Sequence, residues 1–181
     1  ILLAQNQEGL KNIFKLISKS YSKDSFYRYP RVDYAALRKH SEGVIAASAC
    51  LGGVYAGCLW EHREEGEEAV LAAMRKVTEK MMSIFGHRWY GELQWNNVPE
   101  QHDLNKYIIQ MHREYGIDLI STADSHYYNP EVWKDRELYK RLGFLGRGRP
   151  EYMSEEIPSD VEDIGYELYP KNGDQMWEAY K

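Results

Sequence analysis

The chain has no apolar run near the roughly 20 residues that cross a bilayer, and no charged, apolar and cleavable opening of the secretory kind. A cytoplasmic protein is the simplest reading. It has only two cysteines in 181 residues, Cys50 and Cys58, too few for a disulfide framework, so each is a buried thiol or a ligand. Excess positive charge is also missing. The formal charge of -5 excludes a uniformly basic surface, so any contact with nucleic acid has to be local. There is no glycine-rich phosphate loop, and no serine in a nucleophile elbow with histidine and aspartate partners.

What the chain does have is a core. Hydrophobic residues make up 43% and aromatics 13%, with 15 Tyr and 5 Trp, which argues for one folded domain and against disorder. It starts "ILLAQNQEGL" without Met, partway into a strand-like run, and reads as a piece with more sequence upstream.

Apolar spacing gives the elements. Leu10, Ile13, Phe14, Ile17 and Tyr21 share a helical face between Glu8 and Tyr21. "GVIAASACLGG" is a buried strand ending in a Gly-Gly turn, with Cys50 at its end. Glu67 to Phe85 is helical through Val70, Met74, Val77, Met81 and Ile84, and Gly86 stops it. Trp89 to Leu93 is a strand. Asn97 caps a helix with Pro99 in its first turn and Gly116 at its close. "IDLISTADSH" is a strand with its outgoing loop, and Asn129 with Pro130 opens a helix through Leu142. Residues 143–165 lose periodicity and turn acidic, as a long loop does. Residues 166–181 read as a short strand and a helix start. Strands alternating with helices imply parallel strands with crossover helices, an α/β layer or barrel. In such folds chemistry gathers in loops at the carboxyl ends of strands, where Cys50, Glu92, Asp124 and His126 fall.

Side chains two apart on extended backbone point to one side, so Asp124 and His126 in "STADSHYYNP" can aim at one point. Carboxylate, imidazole and thiolate form a donor set for zinc, and the first two suit manganese. The same pattern also describes a loop-capping Asp beside a surface His, and Cys50 alone also reads as a small buried hydrophobe. His40, His62, His87, His102 and His112 read as solvated surface, and Glu92 and Gln94 follow a strand and could touch a site, although a Glu at a strand end is usually just wet. Arg31, Arg147 and Arg149 are loop arginines that could fork onto phosphate.

These segments in their order, "FYRYPRVDYAALRKHSEGVIAASACLGG", "GELQ" with "PEQHDLN", "GIDLISTADSHY" and "ELYPKNGDQMWEAY", resemble the polymerase-and-histidinol-phosphatase (PHP) domain of bacterial and phage replicative DNA polymerase III alpha subunits over nearly the whole chain. "SACLGG" and "ADSHY" resemble two of the family's metal motifs. The resemblance implies part of a distorted (β/α)7 barrel, with residues 1–142 as the later part of the domain and residues 166–181 leading toward a polymerase palm. It implies that Cys50, Asp124 and His126 are metal ligands, with further ligands expected upstream. It also implies zinc or manganese at the PHP site, magnesium for the parent polymerase, and 3′-5′ exonuclease or phosphoesterase activity. DNA, a proofreading exonuclease subunit and other replisome proteins are the implied partners. A free-standing PHP phosphoesterase and a non-catalytic PHP scaffold that docks a separate exonuclease are the alternatives.

Overall fold

The computed structural model describes residues 1–96, 98–146 and 168–179, with side chains left aside at 144–146. The chain divides into two compact units. The first comprises Ile1–Leu93 and Leu104–Ile120, and the second Gln94–Asp103 and Ser121–Lys181. The expected helix cap at Asn97, residues 147–165 of the loop expected at 143–165, and Arg147 and Arg149 lie outside the described residues, and residues 143–146 of that loop are helical instead.

Strand β1 (Leu2–Ala4) leads to helix α1 (Gln7–Ser20), then α2 (Tyr34–Lys39), β2 (Val44–Ala47), α3 (Val54–His62), α4 (Glu67–Phe85), β3 (Trp89–Gln94), α5 (Pro99–Tyr115) and β4 (Asp118–Thr122). The sheet order is β1-β2-β3-β4. β2 and β3 are parallel, with Ala46 opposite Trp89, as alternating strands and helices predict. β1 corrects the all-parallel expectation, because it runs antiparallel to β2 with Leu2 opposite Ala46 and Ala4 opposite Val44. The cause lies in the return of the chain. α1 starts against Gly43, with Gln5 N–H donating to the Gly43 carbonyl at 2.8 Å, and the chain comes back through α2 to that same end before entering β2.

That contact also decides how α1 sits. A Cβ on Gly9 would lie 1.8 Å from the Gly43 oxygen, so only glycine lets the helix approach. The Asn12 amide donates to the Glu42 carbonyl at 2.9 Å. The helix therefore buries Gly9, Asn12, Leu16 and Ser20, while of the apolar stripe seen in the sequence Ile13 packs against the core and Leu10, Phe14, Ile17 and Tyr21 are exposed, Phe14 at 56% and Ile17 at 51%.

The core of the first unit forms where α3, α4 and the Leu104–Tyr115 part of α5 supply Tyr55, Val70, Met74, Leu104, Ile108 and Met111 around Val44 and Trp89. Its polar atoms are satisfied internally. Trp89 Nε1 donates to Tyr55 Oη at 3.0 Å, and Tyr55 Oη meets Thr78 Oγ1 at 2.7 Å, which is what a buried indole and phenol require. At the surface, Arg75 forks onto Glu114 and also reaches Glu68, tying α4 to α5 and holding the Glu114 carboxyl down at about 2.

In the second unit Asn129 accepts from Glu131 N–H at 2.9 Å and caps a single 3-10 turn, Pro130–Val132. Helix α6 (Trp133–Gly146) follows. The tail forms α7 (Gly173–Ala179), but its expected strand is absent among the described residues, where 168–172 are irregular. The backbone groups of Leu168 bond to a loop instead, as described next.

Candidate functional site

The turn after β2 carries Cys50, and β3 builds it. Ser48 N–H donates to the Tyr90 carbonyl at 3.0 Å, continuing the ladder one residue past β2, and Ser48 Oγ accepts from Glu92 N–H at 2.8 Å. The Glu92 carboxylate then accepts from Ala49 N–H at 3.0 Å. Ala49 has φ +64°, a left-handed conformation that costs an L-residue about 1 kcal/mol or more. The chain reverses as Gly53 N–H donates to the Cys50 carbonyl at 2.7 Å. A Cβ on Gly53 would fall 2.0 Å from the Ser48 oxygen, so this turn too requires glycine. The Cys50 thiol is half-buried and free. An open cavity of about 360 Å³ lies alongside, lined in part by Ala47, Ser48, Ala49, Gly52 and Gly53.

Glu92 corrects the reading of a wet strand-end carboxylate. It is 1% exposed, and it accepts a backbone N–H from the residue before Cys50. The signal in the sequence was its place at the end of an apolar strand beside a second strand ending in "SAC". Gln94 is buried as well, and its amide donates to Thr122 Oγ1 at 3.2 Å.

The loop after β4 carries Asp124 and His126. Asp124 is left-handed at φ +46°, and its backbone carbonyl accepts from His126 Nδ1 at 2.6 Å. A carbonyl can only accept, so Nδ1 bears the proton and a neutral ring has its lone pair at Nε2. The tail fixes the loop from outside. His126 N–H and Tyr127 N–H both donate to the Leu168 carbonyl, at 2.8 and 3.2 Å, and Leu168 N–H donates to Tyr127 Oη at 3.2 Å. Just beyond, the Lys171 ammonium sits 3.7 Å from the Tyr169 ring centroid and 3.9 Å from that of Trp95, a two-sided cation–π clamp. Tyr127 and Tyr169 rings are also in contact. Asp124 is half-buried and His126 exposed.

The remaining candidates separate clearly. Cys58 is buried on α3 with its thiol donating to the Val54 carbonyl. Burial pushes that thiol upward, so it is a protonated core residue, not a ligand. His62 pairs with Glu65 at 2.9 Å, His112 closes α5 on the Ile117 carbonyl at 2.7 Å, and His87 and His102 are exposed.

A family model described as "PHP domain" matches residues 1–96. The chain belongs to the PHP domain family. Among curated proteins, it is similar to DNA polymerase III subunit alpha of Aquifex aeolicus, 44% identical over 133 residues that cover 72% of this chain and 11% of the relative. The Borreliella burgdorferi subunit alpha is 33% identical over 180 residues, covering 99% of this chain and 14% of the relative. The Thermus aquaticus subunit alpha is 35% identical over 137 residues, covering 76% and 11%. The chain thus spans only 11% to 14% of the length of these relatives.

PHP domains are generally metal-dependent. Among the described residues no group of three His, Cys, Asp or Glu side chains gathers as a metal site. The donor chemistry fits an ion even so. A histidine whose Nδ1–H is fixed on a carbonyl is the usual arrangement for ligation through Nε2. The Asp124 carboxylate and Cys50 thiol carry no hydrogen bond or ion pair among the described residues.

Proposed function

We propose that this chain is the PHP portion of a replicative DNA polymerase III alpha subunit, and that Cys50, Asp124 and His126 supply ligands for divalent zinc or manganese. The similarity to named alpha subunits, which reaches 99% of the chain, supports the polymerase reading. The observation that carries the site is the His126 ring held by the Asp124 carbonyl, with Nε2 left to bind. The bound ions would supply charge neutralisation on a phosphodiester and activation of its attacking nucleophile. The chain's own residues do the arranging. Glu92 orients the backbone ahead of Cys50, the Leu168 carbonyl sets the His126 backbone, and Asp124 orients the imidazole. The parent would extend DNA with magnesium, and the PHP site would remove a 3′ nucleotide from a mispaired end.

The test is metal content of the full-length protein by elemental analysis, alongside template-directed extension and removal of a mismatched 3′ nucleotide. Wild type should carry zinc or manganese, and Cys50→Ser and Asp124→Ala should each lose at least one ion while extension persists. A metal-free wild type, or variants as fully loaded as wild type, would falsify the ligand assignment. An intact protein that extends no primer sinks the polymerase reading.

A further inference from the structure

The end of α1, the loop that follows it and α2 together gather basic residues, with Lys23, Arg28 and Arg31 in the loop itself. From Lys19 to His40 there are six basic residues, Lys19, Lys23, Arg28, Arg31, Arg38 and Lys39, against Asp24 and Asp33, in a chain whose formal charge is -5. Arg38 is engaged by Ser83, but none of the other five forms an ion pair among the described residues. Of the two acids, Asp33 is committed to capping α2, accepting from Ala36 N–H at 2.7 Å. The local field is positive enough to be felt by His40, which burial and then Lys15, Lys39 and Lys19 hold below its ordinary value.

Aromatic rings are interleaved with these cations and face outward. Tyr27 is 65% and Tyr29 71% exposed, and Tyr21, Phe26 and Tyr34 are exposed too. Unburied rings of this number in one short segment need an explanation beyond packing. The backbone is built to present them. Tyr27 and Tyr29 exchange backbone hydrogen bonds, with Tyr29 N–H to the Tyr27 carbonyl at 2.6 Å, and this projects Arg28 in the left-handed region at φ +60°. The Arg28 and Arg31 guanidiniums lie over the Tyr27 ring, 5.8 and 5.6 Å from its centroid. Tyr21 and Phe26 stack at 5.8 Å. A depression of about 370 Å³ is lined by Phe26, Tyr27, Arg31 and Val32, together with Ser25 and the two acids Asp24 and Asp33.

We infer that this loop is a contact surface for single-stranded nucleic acid, with Tyr27 and Tyr29 as stacking platforms for bases and Arg28 and Arg31 as donors to the phosphates. Stacking on exposed rings beside a basic track is how single strands are held without sequence preference, since every base has a π-face and every nucleotide a phosphate. A duplex hides its bases and would use only the charges. The inference goes beyond the metal-site reading and stands if Cys50, Asp124 and His126 bind nothing.

The test uses the full-length protein, with fluorescence anisotropy of labelled homothymidylate, homouridylate and a blunt duplex over a salt series. Tyr27→Ala should weaken single-strand binding by about tenfold and leave the duplex within twofold. The pair Arg28→Gln with Arg31→Gln should lower the slope of log affinity against log salt by about 1.4 on single strands, roughly 0.7 for each phosphate contact removed. The pair Arg28→Lys with Arg31→Lys should keep that slope, which separates lost charge from a disturbed loop, and the unfolding midpoint of every variant should match wild type. Ultraviolet crosslinking should place adducts on Tyr27 or Tyr29, and the preferred sugar reads out whether DNA or RNA is the natural strand. Unchanged single-strand affinity and slope, or an equal loss on duplex, would overturn the inference and assign the patch to a protein partner.

Discussion

The turn that carries Cys50 and the loop that carries Asp124 and His126 both follow a strand, and both hold a residue other than glycine in the left-handed region, yet they are anchored by different means. Around Cys50 the anchors are the neighbouring strand and a buried carboxylate, since Ser48 Oγ accepts from Glu92 N–H and the Glu92 carboxylate accepts from Ala49 N–H. Around Asp124 the anchors come from a tail some 40 residues on, through one carbonyl of Leu168 and an ammonium clamped between two rings. Contacts buried inside a sheet open only when the sheet opens. Contacts to a peripheral segment open by themselves, at lower free energy. The comparison therefore teaches that the Cys50 turn is fixed with the core, whereas the Asp-x-His loop is fixed only as well as the tail is docked.

The strongest challenge to that contrast is Glu92→Ala. It strands the Ala49 N–H and empties a buried site, so it should destabilise the first unit by about 2 kcal/mol. Glu92→Gln keeps an accepting oxygen and should cost less than half as much. Urea unfolding followed by tryptophan fluorescence reads both. Equal stability of Glu92→Ala and wild type would show that the turn does not depend on the carboxylate.

Next in size is the clamp. Lys171→Ala should cost about 1 kcal/mol, and the loss should be local. Amide exchange at His126 and Tyr127 should accelerate several-fold while the global unfolding midpoint barely moves. Lys171→Arg, which can still stack between the rings, should restore protection. Should exchange at Ser48 and Ala49 accelerate to the same degree, the two turns would share one opening and the contrast would collapse.

Much of this arrangement was legible in the residues. Val70, Met74, Val77, Met81 and Ile84 with Gly86 gave α4 to the residue, from Glu67 to Phe85, because a long one-sided stripe with a glycine stop admits few readings. The outline of α1 was equally clear, but which face it buries was not. A Gly9–Gly43 contact decides that, and periodicity carries no information about a partner 34 positions away. The direction of β1 was hidden for the same reason. Glu92 was misread because a strand-end carboxylate looks the same in sequence whether water or a backbone N–H 43 residues earlier satisfies it. The Asp-x-His loop was legible as a unit, since its two residues and its strand are contiguous. Its support was not, because the tail docks through the backbone of Leu168, and main-chain bonding leaves no trace in residue type.

The smallest expected effect gives the finest comparison, between the two left-handed residues themselves. Ala49 at φ +64° and Asp124 at φ +46° both sit where glycine is free of the Cβ penalty, which is about 1 kcal/mol or more for an L-residue. Glycine also loosens the unfolded chain, a loss of roughly 0.4 to 1 kcal/mol. For Ala49→Gly the relief should slightly exceed that loss, a net stabilisation of about 0.5 kcal/mol. Aspartate enters this region several-fold more readily than alanine, so Asp124→Gly has less strain to relieve and should destabilise by about 0.5 kcal/mol. Both are measured in chelator, so that bound metal does not enter the comparison, and read as urea midpoints at constant slope. The opposite order, with Asp124→Gly the more stable, would place the stored strain in the Asp-x-His loop, not in the turn before Cys50.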